Sequence, residues 1–175
     1  MSKVVMKCSD LQKSFNKRVV VENISFEVKE GDILGMIGSN GSGKTTIIKL
    51  ILGLYKLDDG VIQIGGYDIR KDFSSAIKEV GAIIENPDMY GYLTGYENLK
   101  MASMIYGVTS ERLKEVVKIV GLEERIYDKV SKYSLGMKQR LGIAQAILHK
   151  PKLLILDEPF VGLDPKATYL VKKAM

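Results

Sequence analysis

Ile33-Leu34-Gly35-Met36-Ile37, followed at once by Gly38-Ser39-Asn40-Gly41-Ser42-Gly43-Lys44-Thr45-Thr46, is the stretch that decides the fold. Its first five residues are apolar on both faces and are expected to form a strand buried inside a parallel sheet. Gly38 to Thr45 matches G-x-x-x-x-G-K-[ST]. Ile47, Ile48, Leu50, Ile51, Leu52 and Leu54 then crowd a helix dense enough to pack deeply. Strand, glycine-rich loop and helix in that order make a phosphate cradle. The glycines let successive N–H groups and the helix N-terminus face phosphate oxygens, Lys44 reaches terminal phosphates, and the Thr45 hydroxyl suits magnesium. Gly38, Ser39, Asn40, Gly41, Ser42, Gly43, Lys44, Thr45 and Thr46 are therefore the candidate nucleotide-binding residues.

On the N-terminal side, Ile24, Phe26 and Val28 alternate with Ser25 and Glu27 as in a half-buried strand, and Gly31-Asp32 turns the chain after it. Val61 to Ile64 and Val80 to Ile84 are further strand candidates, the first closed by Gly65-Gly66. From Pro87 the pattern becomes helical. Thr94 and Glu97 form a capping box that starts a helix at about Gly95. Leu113, Val116, Val117 and Val120 mark a second, amphipathic helix stopped by Gly121. Ser134 caps a third, with Met137, Leu141, Ala144 and Leu148 as its buried stripe and Lys150-Pro151 as its end. Leu153 to Leu156 returns to the buried-strand pattern. Asp164-Pro165 opens a last helix that is still in register, with no C-cap, at Met175, which reads as a fragment of a longer protein.

The composition excludes several classes. With 175 residues, 46% hydrophobic and 27% charged, the chain is neither disordered, collagen-like nor disulfide-built. Its single cysteine, Cys8, reads as a buried inert thiol in a reducing compartment. The first seven residues lack the apolar core of a secretory signal, and no run approaches the roughly 18 apolar residues of a membrane span. Lys+Arg exceed Asp+Glu by 26 to 21, but the cations are scattered from Lys3 to Lys173. That distribution reads as a solvated basic surface, with an acidic partner or a membrane face as the alternative, and no nucleic-acid block.

A second chemical element follows Leu153-Leu154-Ile155-Leu156. Asp157 and Glu158 fall at the carboxyl end of that strand, the ligand end of a parallel sheet. Asp157 suits magnesium, and Glu158 suits the orientation or deprotonation of a water attacking a γ-phosphate in line. Together with Ser134-Leu135-Gly136-Met137-Lys138-Gln139-Arg140 and Gly162-Leu163-Asp164-Pro165, these elements resemble an ATP-binding cassette (ABC) ATPase over essentially the whole chain. The segment at Ser134 resembles the family's signature loop, 23 residues upstream of Asp157. Its usual wording is Leu-Ser-Gly-Gly-Gln; here Tyr133-Ser134-Leu135-Gly136-Met137 keeps the serine and the second glycine.

The resemblance implies roles residue by residue. Ser134 and Gly136 would close over ATP held by an opposite subunit, and Asp164 would sit at the seam between subunits. Phe15, 29 residues before Lys44, stands where the family usually has a tyrosine stacked on adenine; a core phenylalanine is the alternative. Glu85 stands where the family has a glutamine that contacts magnesium, and a carboxylate keeps an oxygen ligand while adding charge. Glutamate there, with the wording around Ser134, is similar to the subgroup that exports peptide antibiotics such as bacitracin and lantibiotics. The only histidine, His149, precedes Glu158 and is expected to cap the last turn of the signature helix rather than act as the family's switch histidine. Without that switch, these residues are expected to bind nucleotide weakly and hydrolyse it poorly.

The fold expected is α/β: a phosphate-loop nucleotide-binding core with an N-terminal antiparallel β subdomain and an inserted helical subdomain. Residues 1–86 would hold the β subdomain and the phosphate loop, 87–150 the helical signature subdomain, and 151–175 the carboxylate strand and the start of the last helix. The resemblance implies a transporter ATPase using ATP and Mg2+, with Lys44 and Glu158 catalytic and Thr45, Asp157 and Glu85 on the metal. Its partners would be a membrane-spanning permease and a second nucleotide-binding domain, which places it in the cytoplasm on the inner face of the membrane. The competing reading is a soluble cassette ATPase acting on ribosomes or DNA, which typically carries two cassettes or a long coiled-coil insert. A small-molecule kinase would leave the segment at Ser134 unexplained.

Overall fold

The computed structural model describes residues 2–85, 87–158 and 168. Gly162, Leu163, Asp164, Pro165 and, Thr168 apart, the helix expected after them lie outside the described residues. The chain divides into two units, Met1–Val80 and Gly81–Met175.

In the first unit, β1 (Val4–Phe15), β2 (Arg18–Lys29), β3 (Asp59–Ile64) and β4 (Tyr67–Asp68) form an antiparallel sheet in the order β2-β1-β3-β4. Its tight turns run through left-handed backbone. Asn16 and Lys17, at φ 49° and 66°, close the β1–β2 hairpin between paired Phe15 and Arg18. Gly65 and Gly66 close the β3–β4 hairpin in the same way. Ile24, Phe26 and Val28 are the more buried residues of their stretch of β2, as the alternation predicts. Helix α1 (Lys44–Ile51) follows the glycine-rich loop, and the short α2 (Phe73–Ile77) is capped by Asp72, whose carboxylate accepts from the Ser75 N–H at 3.1 Å. Leu11, Leu50, Ile51, Ile62 and Ile64 are fully buried and form the centre of this unit's core.

Two expectations fail here. Ile33 to Ile37 is not a strand; Ile33 is 81% exposed and Ile37 fully so. A run apolar on both faces needs neighbours along both edges. No strand pairs with it among the described residues. Leu54 is exposed as well, because α1 ends at Ile51 and Gly53 turns the chain at φ 67°.

In the second unit β5 (Val80–Ile83), which begins at the boundary, pairs with β6 (Leu153–Leu156). The Asp157 N–H donates to the Ile83 carbonyl at 2.9 Å, so the carboxyl ends of the two strands lie side by side. Helices α3 (Gly95–Tyr106), α4 (Ser110–Ile119) and α5 (Leu135–Ile147) build the rest around Leu99, Val116, Val120, Leu122, Leu141, Ile143 and Leu148. The expected capping box is present: the Glu97 N–H donates to Thr94 Oγ1 at 3.1 Å and the Thr94 N–H to Glu97 Oε2 at 2.7 Å. Gly121 stops α4 at φ 65°. Helix α5 is buried more widely than one stripe. Leu141, Ala144 and Leu148 are fully buried and Met137 half so, while Gln139, Gly142, Ile143, Ala146 and Ile147 are buried too. Close approach explains it, since a Cβ on Gly81 would collide with the Ala146 carbonyl and one on Gly142 would come 2.5 Å from Pro87.

Candidate functional site

In the first unit the loop from Gly38 to Ser42 is exposed, Gly43 is buried, and Lys44, Thr45 and Thr46 are half-buried. Gly43 is the N-cap of α1 at φ 95°, and a Cβ there would sit 3.0 Å from the Val20 carbonyl oxygen. Only glycine meets both conditions without strain. No side chain caps α1 and no acid lies in its first turn, so its N-terminus keeps its partial positive charge for an anion. Lys44 Nζ donates to the carbonyls of Gly38 and Ser39 at 2.8 and 2.9 Å, holding the ammonium on the loop. The Ser42 N–H closes the loop onto the Ser39 carbonyl.

Phe15 belongs to the same unit and is 38% exposed, so part of its ring is open for stacking. It ends β1, and β2, the other arm of that hairpin, carries Val20 against Gly43. Tyr55 meets the Phe15 ring edge-on with centroids 5.3 Å apart. Lys13 Nζ lies 5.2 Å from the Phe15 centroid.

The second unit carries the acids. Asp157 is half-buried and Glu158 exposed at the carboxyl end of β6, and Glu85 follows the adjacent β5. Glu85 and Glu158 both hold left-handed backbone, φ 58° and 48°, a cost that cores rarely carry and functional sites often do. Among the described residues no three Asp, Glu, His or Cys side chains converge on a metal position. That donor set fits magnesium, which is commonly held by one or two carboxylates together with substrate phosphates rather than by an all-protein cage.

Ser134 caps α5 by accepting from the Met137 N–H at 3.2 Å; it is exposed, and Gly136 is half-buried. Buried Tyr133, just before it, donates its hydroxyl to the Arg125 carbonyl at 2.7 Å, and burial pushes its pKa up. Two arginines fix this helix. Arg140 on α5 donates to the Val120 and Gly121 carbonyls at the end of α4, at 3.3 and 2.7 Å. Arg112 on α4 donates to the Ile147 and Leu148 carbonyls at the end of α5, at 2.7 and 3.1 Å. The sequence puts His149 at that helix end as its cap. It stands one residue past the C-cap Leu148 and stacks on Tyr106, centroids 4.1 Å apart and 8° from parallel, while Arg112 donates to the last carbonyls of the helix. Sequence reasoning missed Arg112 and Arg140 because their partners lie 19 to 36 residues away. No helix among the described residues is long and apolar enough to cross a membrane.

Each unit carries one element of nucleotide chemistry on an α/β frame, the glycine-rich loop on a helix N-terminus in the first and the acids at a strand end in the second. Residues 21–161 match the ABC transporter family, and the chain belongs to it. It is 51% identical to an ABC transporter ATP-binding protein, YhcH, of Bacillus subtilis (strain 168), over 93% of this chain and 54% of that protein. It is 46% identical to the bacitracin transport ATP-binding protein BcrA of Bacillus licheniformis, over 92% of this chain and 53% of that one. A solved structure of the ATP-binding subunit of an ABC transporter superposes with TM-score 0.88 at 34% identity, covering 97% of this chain and 72% of the other. The chain spans about half the length of the curated relatives it matches.

Proposed function

We propose that the full-length protein is the ATP-binding and ATP-hydrolysing subunit of an ABC transporter, powering export of a peptide antibiotic or related compound through a separate membrane-spanning permease. The observation that carries the nucleotide site is the open N-terminus of α1, with Lys44 held on the loop beside Gly43. Likeness to a bacitracin transport protein, and Glu85 in place of the family's glutamine, support the peptide-antibiotic class. Relatives named for transport favour this reading over a soluble ATPase acting on ribosomes or DNA.

In this reading Gly38 to Thr46 cradle the phosphates, Lys44 offsets charge on the terminal ones, and the Phe15 ring receives adenine. Glu158 takes a proton from water as its oxygen attacks the γ-phosphorus in line; the bond to the bridging oxygen breaks and ADP leaves with the electron pair. Thr45, Asp157 and Glu85 are the oxygen donors available to Mg2+, which when bound supplies positive charge against the phosphates. Ser134 and Gly136 close over ATP bound to a second nucleotide-binding domain. We assign residues 1–86 to the β subdomain and phosphate loop, 87–150 to the signature-bearing helical subdomain and 151–175 to the carboxylate strand and beyond. The permease holds the subunit at the cytoplasmic face of the membrane.

Lys44→Ala should weaken ATP binding, and unchanged affinity would remove the loop from the site. Glu158→Gln in the full-length protein should keep ATP binding and lower hydrolysis by about 100-fold or more. Affinity purification of the full-length protein from detergent-solubilised cells should bring down a stoichiometric polytopic membrane protein. Ribosomal or DNA-repair components in its place would overturn the transport reading.

A further inference from the structure

The end of β1 is held in a way the phosphate chemistry does not require. Pairing of β1 with β3 stops at Gln12 opposite Asp59, which leaves the last residues of β1 past the end of that ladder. Asp58 takes over where β3 has not yet begun. Its own N–H donates to the Gln12 carbonyl at 3.1 Å, its Oδ2 accepts the Ser14 N–H at 2.7 Å, and its Oδ1 accepts Lys13 Nζ at 2.7 Å. The side chain thus continues the ladder in place of a strand.

Lys13 and Phe15 are two apart on a strand and share a face. The ammonium held by Asp58 lies 5.2 Å from the Phe15 centroid and covers one side of the ring. Tyr55, on the same segment between α1 and β3, packs against the ring at 71° with centroids 5.3 Å apart. That segment is itself tied to the phosphate helix: the Tyr55 N–H donates to the Lys49 carbonyl at 3.2 Å, and Lys49 Nζ lies 5.7 Å from the Tyr55 ring.

We infer that Asp58, acting through Lys13 and Ser14, is a positioning residue for the base subsite: it fixes the Phe15 ring with one face covered by the ammonium and the other presented to a purine. The inference rests on the reading that Phe15 receives the base. A ring held in place before binding loses less entropy when a base stacks on it, so the holding group contributes to base affinity without touching nucleotide.

The test compares Mg-ATP with Mg-tripolyphosphate, which has the phosphates and no base, by calorimetric titration of the full chain. Phe15→Ala should lower affinity for ATP about tenfold and leave tripolyphosphate unchanged. Asp58→Ala should lower ATP affinity about threefold with tripolyphosphate again unchanged, and should add nothing in the Phe15→Ala background. Lys13→Met, which leaves the Asp58 bond to Ser14 in place, should reproduce part of the loss in folded protein. Equal losses for both ligands, an Asp58→Ala effect that persists without Phe15, or full ATP affinity in Lys13→Met would overturn the inference and leave the Phe15 reading standing. An unchanged ATP to tripolyphosphate ratio in Phe15→Ala would remove the base reading and the inference with it.

Discussion

Replacing Arg112 with alanine tests whether the two arginines hold α5 in place. Arg112 is largely covered, 15% of its side chain being exposed, and makes two hydrogen bonds from one guanidinium to the Ile147 and Leu148 carbonyls. Those carbonyls end α5 and carry its negative dipole end. Hydrogen bonds from a charged donor contribute about 1.5–3 kcal/mol each, and loss of two that share one side chain and one helix end is less than additive, so we expect about 2–4 kcal/mol. The ion pair with Glu115 at 3.0 Å adds little, about 0.3–0.5 kcal/mol, because Glu115 is 56% exposed. For a urea slope of about 2 kcal/mol per molar, the midpoint of unfolding followed by far-UV circular dichroism should fall by about 1–2 M. Arg112→Lys keeps the charge but not the fork, so it should recover less than half of the loss. The reasoning is refuted if Arg112→Ala stays within about 0.5 kcal/mol of the parent, or if Glu115→Ala alone reproduces the shift.

Three further outcomes rest on single residues. Gly43→Ala should cost about 1–2 kcal/mol for its left-handed backbone and also lower ATP affinity; a folded variant with the parent's midpoint and affinity would contradict the Gly43 geometry. Burial pushes the Cys8 thiol up to about 12, so a disulfide reagent at pH 8 should react slowly with the native chain and promptly after urea; prompt native reaction would place Cys8 outside the core. Several carboxylates sit below their usual range: Asp58 through the Lys13 and Ser14 hydrogen bonds, Glu97 through the Thr94 backbone and hydroxyl, and Asp72 through Ser75. A folded pKa below the unfolded one gives stability that is present above the unfolded pKa and is lost as pH falls through the folded pKa. Urea midpoints should therefore be flat near neutrality and fall below about pH 4, with a shallower fall in Glu97→Gln; an identical acid profile for that variant would refute the capping-box contribution.

Local signals carried much of this molecule. The capping box at Thr94, the glycine stop at Gly121, the two-glycine hairpin at Gly65 and the Ser134 cap are each settled within a few residues, and each forms as the sequence reads. The glycine-rich loop leading into a helix at Lys44 was equally legible, because its glycines allow the left-handed backbone that Gly41 and Gly43 adopt. Where sequence and structure part, a distant partner decided. Ile33 to Ile37 reads as a buried strand, but apolar composition cannot supply the neighbouring strands that would pair with it. The last carbonyls of α5 receive Arg112 from another helix, a partner that the sequence around His149 does not announce.

The sequence by itself determined the family and most element boundaries, since its motifs, turns and caps depend on φ preferences and short-range hydrogen bonds. Tertiary structure alone decided which charged groups hold the elements in place. Asp58 on the end of β1, Arg140 on the end of α4 and Arg112 on the end of α5 act on backbone groups left unsatisfied where a ladder or helix stops. Which side chain reaches such a group depends on how elements far apart in sequence pack, and no local pattern encodes that.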